Sequence, residues 1–394
     1  MTEPLPTAKP EEVGLSQTAL DRLSAALNDR IASGHIPGAV ALVARHGKVA
    51  YHQSLGRLDP ASGRPMGRDA IFRIYSMTKP IVSVAVMLLW EEGRLLLSDP
   101  ISKYLPAFAR VQVGIASGDS YTLTAPSTAI SVQDLLRHTS GLTYEFRGSG
   151  PIHQAYAQAR VARLKQTNAD QVEALVGLPL LHHPGTVWEY SRSTDVLGRL
   201  VEVLSGQTLG AFLSQRILTP LGMTDSGFAV PEPDQSRVAE PFPRDPESGT
   251  DVALLNVRRP AIFESGGGGM VATALDYARF LAMLLGNGRL GPSRLLGRKT
   301  IELMTSDHLG TITGAADLLP PGHGFGLGFA VRTHAGMAPF PGSVGNYYWG
   351  GAAGTTFWVD PAERLFAVLM IQAPQQREHY RILFRDMVFA AVAD

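Results

Sequence analysis

Residues 76–93 read Ser-Met-Thr-Lys-Pro-Ile-Val-Ser-Val-Ala-Val-Met-Leu-Leu-Trp-Glu-Glu-Gly. The pattern predicts a helix from Thr78 to Glu92, because Pro80 falls in the first turn and Gly93 follows the last one. Almost every residue of this helix is apolar, and a helix that is apolar on all sides is stable only when it is buried. We therefore expect the helix to lie inside the protein.

Strand patterns occur towards both ends of the chain. In the N-terminal part, an amphipathic helix over Ser16–Ile31 precedes two β-type runs, Ala39–Arg45 and Lys48–His52, which flank the turn residues His46-Gly47. This pattern predicts a β-hairpin. In the C-terminal part, the predicted strands and the closing helix are Gly324–Arg332, Thr355–Val359, Leu365–Gln372 and Gln376–Val392.

The middle of the chain shows helical patterns separated by polar, Pro- and Gly-rich stretches. These predicted helices are Val132–Arg137, Ala155–Lys165, Ala169–Val176, Asp195–Leu204 and Asp276–Gly286, and Ala229–Thr250 is a predicted surface loop. Strands linked by hairpins favour an antiparallel sheet, so we expect an α+β fold, an α/β sandwich whose sheet is flanked by the N- and C-terminal helices, plus a helical lobe. The expected division is an α/β lobe from residues 10–100 and 266–394 and a helical lobe from residues 101–265, forming one domain overall.

Composition excludes several classes of function. The 394 residues include 35 basic and 35 acidic side chains and no cysteine. A formal charge of zero lacks the strong positive field of nucleic-acid-binding proteins. Without cysteine there can be no disulfide, thiolate metal site or cysteine nucleophile. We therefore expect no nucleic-acid partner, and the oligomeric state stays open. No His-Glu-x-x-His motif occurs, and Gly266–Gly269 is not followed by Lys-Ser/Thr, so we also expect no metal and no cofactor.

The sequence also suggests where the protein resides. The N-terminus lacks the basic start and apolar stretch of a signal peptide. The longest apolar run, Ile81–Trp90, is about half of the ~20 residues that a membrane-spanning helix needs. We therefore expect a soluble, cytoplasmic protein without a membrane partner.

Ser76 and Lys79 are the first candidates for chemistry. Three residues apart on a helix, they share one face, which brings an amine within reach of a hydroxyl. A serine that attacks a carbonyl needs a base beside it, and a lysine can serve if burial keeps its amine neutral. The helix N-terminus also stabilises negative charge near Ser76. The alternative is an N-capping serine with a solvent-facing lysine, and the motif alone does not decide between them.

Two further segments could complete a site. Tyr190 follows the turn residues Pro184-Gly185 and precedes an apolar helix, so its phenol could share a proton with Lys79; a buried structural tyrosine is the alternative. Residues Tyr347–Ala352 read Tyr-Tyr-Trp-Gly-Gly-Ala before a strand. Adjacent glycines let the backbone approach a ligand closely, and a free amide at Ala352 would suit an oxyanion hole; a glycine bulge is the alternative.

The order Ser-x-x-Lys, Tyr-Ser, Trp-Gly-Gly resembles the family VIII carboxylesterases, which share the fold of class C β-lactamases and penicillin-binding proteins. The resemblance spans roughly residues 15 to 390. It implies Ser76 as nucleophile, Lys79 and Tyr190 as a base pair, and the amides of Ser76 and Ala352 as the oxyanion hole. Further matching segments are Phe72–Tyr75, Leu135–Leu142, Pro184-Gly185, Pro220–Met223 and Gly326–Phe329.

Two departures from the β-lactamase branch bear on the substrate. That branch has Tyr-x-Asn where this chain has Tyr190-Ser191-Arg192, and Lys-Thr-Gly where this chain has Trp349-Gly350-Gly351. Because the lost lysine attracts the carboxylate of a β-lactam, we expect Trp349, Gly350 and Gly351 to bind neutral substrates instead. Arg192 could partly replace the missing charge at the substrate.

The resemblance implies a serine esterase that hydrolyses short- to medium-chain carboxylic esters through an acyl-enzyme, with a small-molecule ester as its partner. An acyltransferase or an amide hydrolase (β-lactamase, D-amino peptidase or ω-amino-acid oligomer hydrolase) on the same site is the alternative. A catalytically idle ligand-binding protein is a more remote one, because Ser76, Lys79 and Tyr190 are all intact.

Overall fold

The computed structural model describes residues 4–314 and 317–394. Within these residues, an eight-stranded antiparallel sheet has the order β10-β11-β12-β13-β14-β1-β2-β3, so strands from both ends of the chain meet in it. The strands β1 to β14, in chain order, are Gly38–Arg45, Lys48–Asp59, Arg64–Pro65, Phe72–Arg73, Val113–Ser117, Ser120–Thr124, Val271–Ala272, Arg289–Leu290, Ser293–Arg294, His323–Phe325, Ala330–Arg332, Tyr347–Gly350, Thr356–Asp360 and Leu365–Met370.

Helices surround this sheet and fill the middle of the chain. The helices α1 to α11 are Gln17–Ala32, Thr78–Glu91, Val132–Leu136, Pro151–Ala159, Asn168–Val176, Ser193–Ser205, Leu209–Leu213, Thr219–Leu221, Ala274–Leu285, Arg298–Met304 and Arg377–Phe389. Short 3₁₀ or π turns are Pro10–Val13, Tyr75–Met77, Ile101–Lys103, Pro106–Arg110, Ser214–Leu218 and Glu232–Arg237.

Strand β1 separates two hydrophobic cores. Successive side chains of a strand point to opposite faces of its sheet. Val40 and Leu42 therefore pack into the core shared with α2 and α9, and Ala41 and Val43 pack into the core under α1 and α11. Both faces of the sheet are thus covered, which confirms the predicted sandwich of an antiparallel sheet with the terminal helices on it.

Helix α2 lies inside the larger core, as its sequence predicts. All residues from Thr78 to Leu89 are buried, and the helix packs against α6 and α7. Gly328 lies so close to α2 that a Cβ there would come within 2.4 Å of Ser83 Oγ. The buried helix therefore fixes the first turn, with Lys79 in it, relative to the sheet.

The N-terminal predictions hold in detail. Ser16 caps α1 by accepting a hydrogen bond from the amide of Ala19. The hairpin of β1 and β2 turns at His46 and Gly47, whose φ angles of 53° and 77° are both left-handed. Two consecutive left-handed residues match the twist of the flanking strands, which is why glycine suits this turn.

Three predictions for secondary structure were wrong or incomplete. The predicted strand Gly324–Arg332 is two short strands, β10 and β11, with a turn between them. The predicted helix Ala155–Lys165 is Pro151–Ala159, because Pro151 starts it and left-handed Arg160 ends it. The hairpin of β5 and β6 lies in the middle segment, where the sequence analysis predicts helices only.

Among the described residues, no single helix is long and apolar enough to cross a membrane. Helix α6 and the segment Leu209–Leu221, bent by 77° relative to each other, pass that test only as a pair, on length and composition. The lobe boundaries expected at residues 100 and 265 stay a prediction.

Candidate active site

Ser76 lies in a strained turn that leads into α2. It belongs to the 3₁₀ turn Tyr75–Met77, and Tyr75 has a φ of 42°. A non-glycine residue in that region costs on the order of 1–3 kcal/mol, so packing must hold it there. Ser76 is partly exposed, whereas Met77 after it is buried. The turn therefore presents the serine hydroxyl at the start of a buried helix.

Lys79 contacts Ser76 as the spacing predicts. Its Nζ donates to Ser76 Oγ at 3.3 Å and to the carbonyl of Gly267 at 2.6 Å. The lysine side chain is almost wholly buried, with 1% of its surface exposed. Gly267 belongs to the segment Gly266–Gly269, which therefore forms part of the wall of this site.

Tyr190 completes the cluster. Lys79 Nζ lies 4.5 Å from the centroid of the Tyr190 ring and 5.4 Å from that of Tyr144. Tyr190 is buried among four other rings, with centroid distances between 4.9 and 6.4 Å; these belong to His138, Tyr144, Trp188 and Trp349. The structure thus brings together the three predicted catalytic side chains, inside an aromatic enclosure.

The charge state of Lys79 differs from the expectation based on burial alone. Burial lowers the pKa of the Lys79 ammonium, but the neighbouring phenol groups of Tyr144 and Tyr190 raise it, and the net pKa lies above the ordinary value of lysine. Burial raises the pKa of Tyr144 to about 12, although Lys79 acts in the opposite direction. Burial alone therefore does not make the Lys79 amine neutral, because the two tyrosines act in the opposite direction.

Trp349 lies beside Tyr190 rather than at a distance from the chemistry. Its indole Nε1–H donates to the phenol oxygen of Tyr190 at 3.2 Å, and the ring centroids are 5.2 Å apart. Where the β-lactamase branch has a lysine, this chain therefore places an apolar wall whose one hydrogen-bond donor is already used.

The Trp-Gly-Gly-Ala segment leads out of β12, which ends at Gly350. A Cβ on Gly351 would come within 2.4 Å of the carbonyl oxygen of Ile74, so glycine is needed for the strand to approach the turn that carries Ser76. Ala352 is exposed, and within residues 4–314 and 317–394 its amide has no protein acceptor. The amide expected in the oxyanion hole is therefore free to bind a ligand.

Arg192 has partners that the sequence does not reveal. Its Nη2 donates to both carboxylate oxygens of Glu145, at 2.7 and 3.0 Å, and its Nη1 lies 3.5 Å from Asp195. The guanidinium also stacks over the ring of Tyr144, 4.6 Å from its centroid. Because two carboxylates compensate its charge, this arrangement does not support the hypothesis that Arg192 replaces the lost lysine at the substrate.

Sequence reasoning missed two residues of the site. Tyr144 follows the matched segment Leu135–Leu142 by two positions, and that proximity was the only available signal. Asp195 is buried in the first turn of α6, where its Oδ1 accepts from the amide of Gly267 at 2.8 Å and the hydroxyl of Ser265 at 2.5 Å. It thereby holds the carbonyl of Gly267 against Lys79, a role that no local pattern indicates.

His138 supports the backbone next to Tyr190. The amide of Ser191 donates to His138 Nδ1 at 3.3 Å, and the Ser191 hydroxyl lies at the same distance. Burial lowers the pKa of His138 well below its usual value, and the positive charge of Lys79 lowers it further. The imidazole is therefore neutral and acts here as a hydrogen-bond acceptor.

Comparison with known proteins agrees with this geometry. A family model described as Beta-lactamase matches residues 21–389, so the chain belongs to the β-lactamase family. It is 37% identical over 363 residues to Protein Rv1367c of Mycobacterium tuberculosis, covering 90% of each chain. It is also 33% identical over 389 residues to Esterase EstB of Burkholderia gladioli, covering 94% of this chain and 95% of EstB.

A solved structure gives the same result. EstCE1, described as a hydrolase with promiscuous acyltransferase activity, matches with a TM-score of 0.80 and 28% identity, covering 94% of this chain and 99% of its own. These findings confirm the predicted fold class and the resemblance to the esterase branch of the serine β-lactamase superfamily. They also confirm the prediction of a serine hydrolase.

The low pKa of His138 predicts a pH dependence of stability. As the pH falls through about 6.5, the unfolded chain binds a proton on this histidine before the folded protein does, so the free energy of unfolding decreases. His138→Gln keeps an acceptor for Ser191 but cannot titrate. Between pH 6.5 and 5, we expect the free energy of unfolding, measured with urea, to fall less steeply in the variant than in wild type. The two slopes should differ by up to about 1.4 kcal/mol per pH unit.

His52 and His323 serve as internal references for this measurement. Burial lowers the pKa of each to about 4, and both remain in the variant, so their contributions cancel in the difference. Parallel stability profiles for wild type and His138→Gln would contradict the assignment.

Proposed function

We propose that this protein is a serine esterase that hydrolyses short- to medium-chain carboxylic esters through an acyl-enzyme. The observation that carries the proposal is the convergence of Ser76, Lys79 and Tyr190 at the N-terminal end of a buried helix. The identity with Esterase EstB over nearly the whole chain supports the same reaction. The reaction needs no metal or cofactor.

In the proposed acylation step, Ser76 Oγ attacks the ester carbonyl and its proton passes to the Lys79–Tyr190 pair. The two side chains form a coupled titration, in which the protons belong to the pair. The pair can accept this proton only while it holds a single proton between Lys79 Nζ and the Tyr190 phenol oxygen. The indole N–H of Trp349, 3.2 Å from that oxygen, would stabilise the form of the pair in which the oxygen is deprotonated and ready to accept the proton.

The tetrahedral intermediate places a negative charge on the former carbonyl oxygen. Fixed amide donors aimed at that oxygen stabilise it more than they stabilise the ester, which accelerates the step. In our proposal the donors are the amides of Ser76 and Ala352. The alcohol then leaves with the proton held by the pair, and a water molecule activated by the same pair releases the acid.

The lining of the site favours a neutral substrate. Around the catalytic cluster lie the rings of Tyr144, Trp188 and Trp349, and the guanidinium of Arg192 already binds Glu145 and Asp195. Desolvating an ester beside these rings costs little, whereas a carboxylate would lose its water and find neither the lysine of the β-lactamase branch nor an uncompensated Arg192. In our proposal, Trp349, Gly350 and Gly351 line the substrate-binding side.

Acyl transfer is the second candidate, because EstCE1 is described as having promiscuous acyltransferase activity. In that reaction an alcohol takes the place of water in the second step, with the same nucleophile and base. Cytoplasmic residence stays a prediction.

The first test concerns the nucleophile. Ser76→Ala removes the attacking oxygen at a partly exposed position, so we expect turnover of p-nitrophenyl butyrate to disappear while the thermal unfolding midpoint stays within a few degrees. A fluorophosphonate should label wild type on Ser76, as located by peptide mass spectrometry. Labelling of a different serine would overturn the assignment.

The second test concerns the base. We expect Lys79→Ala and Tyr190→Phe each to lower kcat by orders of magnitude. Residues that act as one unit have non-additive effects, so the double variant should be little worse than either single one. Tyr144→Phe is the matched control, because it removes a neighbouring phenol that is expected to stay neutral. Additive losses in the double variant would show that Lys79 and Tyr190 work separately.

The third test concerns substrate charge. A charge-assisted hydrogen bond contributes about 1.5–3 kcal/mol, so a site without the lysine should bind anionic β-lactams roughly 10- to 150-fold more weakly. We expect kcat/KM for p-nitrophenyl butyrate to exceed that for nitrocefin by a wide margin. Trp349→Lys should lower the ratio of these two kcat/KM values, because the new cation favours only the anionic substrate. Loss of the indole donor to Tyr190 should affect both substrates alike. Equal wild-type rates for both substrates would favour a β-lactamase.

A further inference from the structure

The peptide group between Gly351 and Ala352 is held by two hydrogen bonds to its carbonyl oxygen. Arg381 of α11 donates from Nη2 to the Gly351 oxygen at 2.5 Å, and the amide of Gly354 donates to the same oxygen at 3.0 Å. A carbonyl oxygen has two lone pairs, so this one is fully satisfied. Its orientation is therefore fixed by two donors, one of them charged.

The orientation of the carbonyl sets that of the amide. In a trans peptide, the C=O of one residue and the N–H of the next belong to one planar unit and point in opposite directions. The carbonyl of Gly351 points to Arg381 on the helix side of the sheet. The amide of Ala352 therefore points away from α11, towards the face where Gly351 meets Ile74 and the turn of Ser76.

Gly350 makes room for the guanidinium. A Cβ at this position would lie 2.7 Å from Arg381 Cζ, closer than real contacts allow. The two glycines thus have different tasks: Gly350 admits Arg381 on one face of the strand, and Gly351 admits the Ser76 turn on the other. Neither task requires contact with substrate.

Arg381 is itself held in place. Its Nη1 donates to Glu378 Oε1 at 2.7 Å, one turn earlier on α11, and only 21% of its side chain is exposed. An ionised donor makes a stronger hydrogen bond than a neutral one, and hydrogen bonds in a chain polarise one another. A cation on the carbonyl of a peptide therefore makes the N–H of that peptide a better donor.

We propose that Arg381 is a positioning residue that aims and polarises the Ala352 amide for the oxyanion, acting through the Gly351 carbonyl. This inference rests on the proposed function, in which Ala352 supplies one of the two oxyanion donors. It assigns to the C-terminal helix a part in transition-state stabilisation without contact with the substrate.

The test compares transition-state binding with substrate binding. Removal of a whole oxyanion donor costs about 10²–10³ in kcat, so weakening one should cost about 10-fold. In Arg381→Gln we expect kcat for p-nitrophenyl butyrate to fall about 10-fold with KM changed less than 2-fold. Affinity for a trifluoromethyl ketone, whose adduct with a serine carries an oxyanion, should fall by the same factor.

Two further variants make the result specific. Arg377→Gln is the matched control: it removes an arginine of the same helix that also binds Glu378 but does not touch Gly351, and it should behave like wild type. Gly350→Ala displaces the guanidinium from the other side through its new Cβ. It should reproduce the loss in kcat and ketone affinity even if Arg381→Gln proves unstable.

Several results would overturn the inference. An unchanged kcat or unchanged ketone affinity in Arg381→Gln or Gly350→Ala would do so, and so would an equal loss in Arg377→Gln. Failure of the proposed function looks different: wild type would then neither turn over the ester nor form a ketone adduct on Ser76.

Discussion

The burial of the Lys79 amine at the start of an apolar helix is the constraint on which this structure depends. Removing a lone charge from water costs several kcal/mol, and Lys79 has only 1% of its surface exposed. The compensation comes from the carbonyl of Gly267, the hydroxyl of Ser76 and the faces of two tyrosine rings. These groups come from four separate segments of the chain, so the same side chain that could serve catalysis also organises the site.

The groups around Lys79 are secured by a second layer of charges. Asp195 fixes the amide of Gly267, and Arg192 links Asp195 to Glu145 beside Tyr144. The guanidinium of Arg192 thus connects the segment that contains Gly267, through Asp195, to the loop that contains Tyr144, through Glu145. Arg192, which stands where the β-lactamase branch has asparagine, therefore stabilises the aromatic enclosure. Its positive charge is compensated by carboxylates of the protein itself.

The sequence predicts the parts of the site that depend on local spacing. The three-residue spacing of Ser76 and Lys79, the apolar helix and the hairpin at His46-Gly47 each follow from short-range geometry, and each appears as predicted. Arg381 and the partners of Arg192 could not be predicted, because their contacts join distant elements. The burial of Lys79 follows from the apolar helix, but the contact of its amine with Tyr144 could not be predicted, because Tyr144 lies on a distant segment. The β5–β6 hairpin was missed since its strands are short and exposed.

The central sheet has a consequence for how the protein is made. Arg45, the last residue of β1, binds Glu363, 318 positions later, and β1 pairs along its length with β14. At translation rates of about 5–20 residues per second, roughly 15–60 s pass before that partner exists. During this time one edge of an apolar strand stays unpaired, and such edges promote aggregation. The early hairpin partner β2 covers only the other edge of β1, so this edge stays open until the C-terminal strands emerge and the site can form.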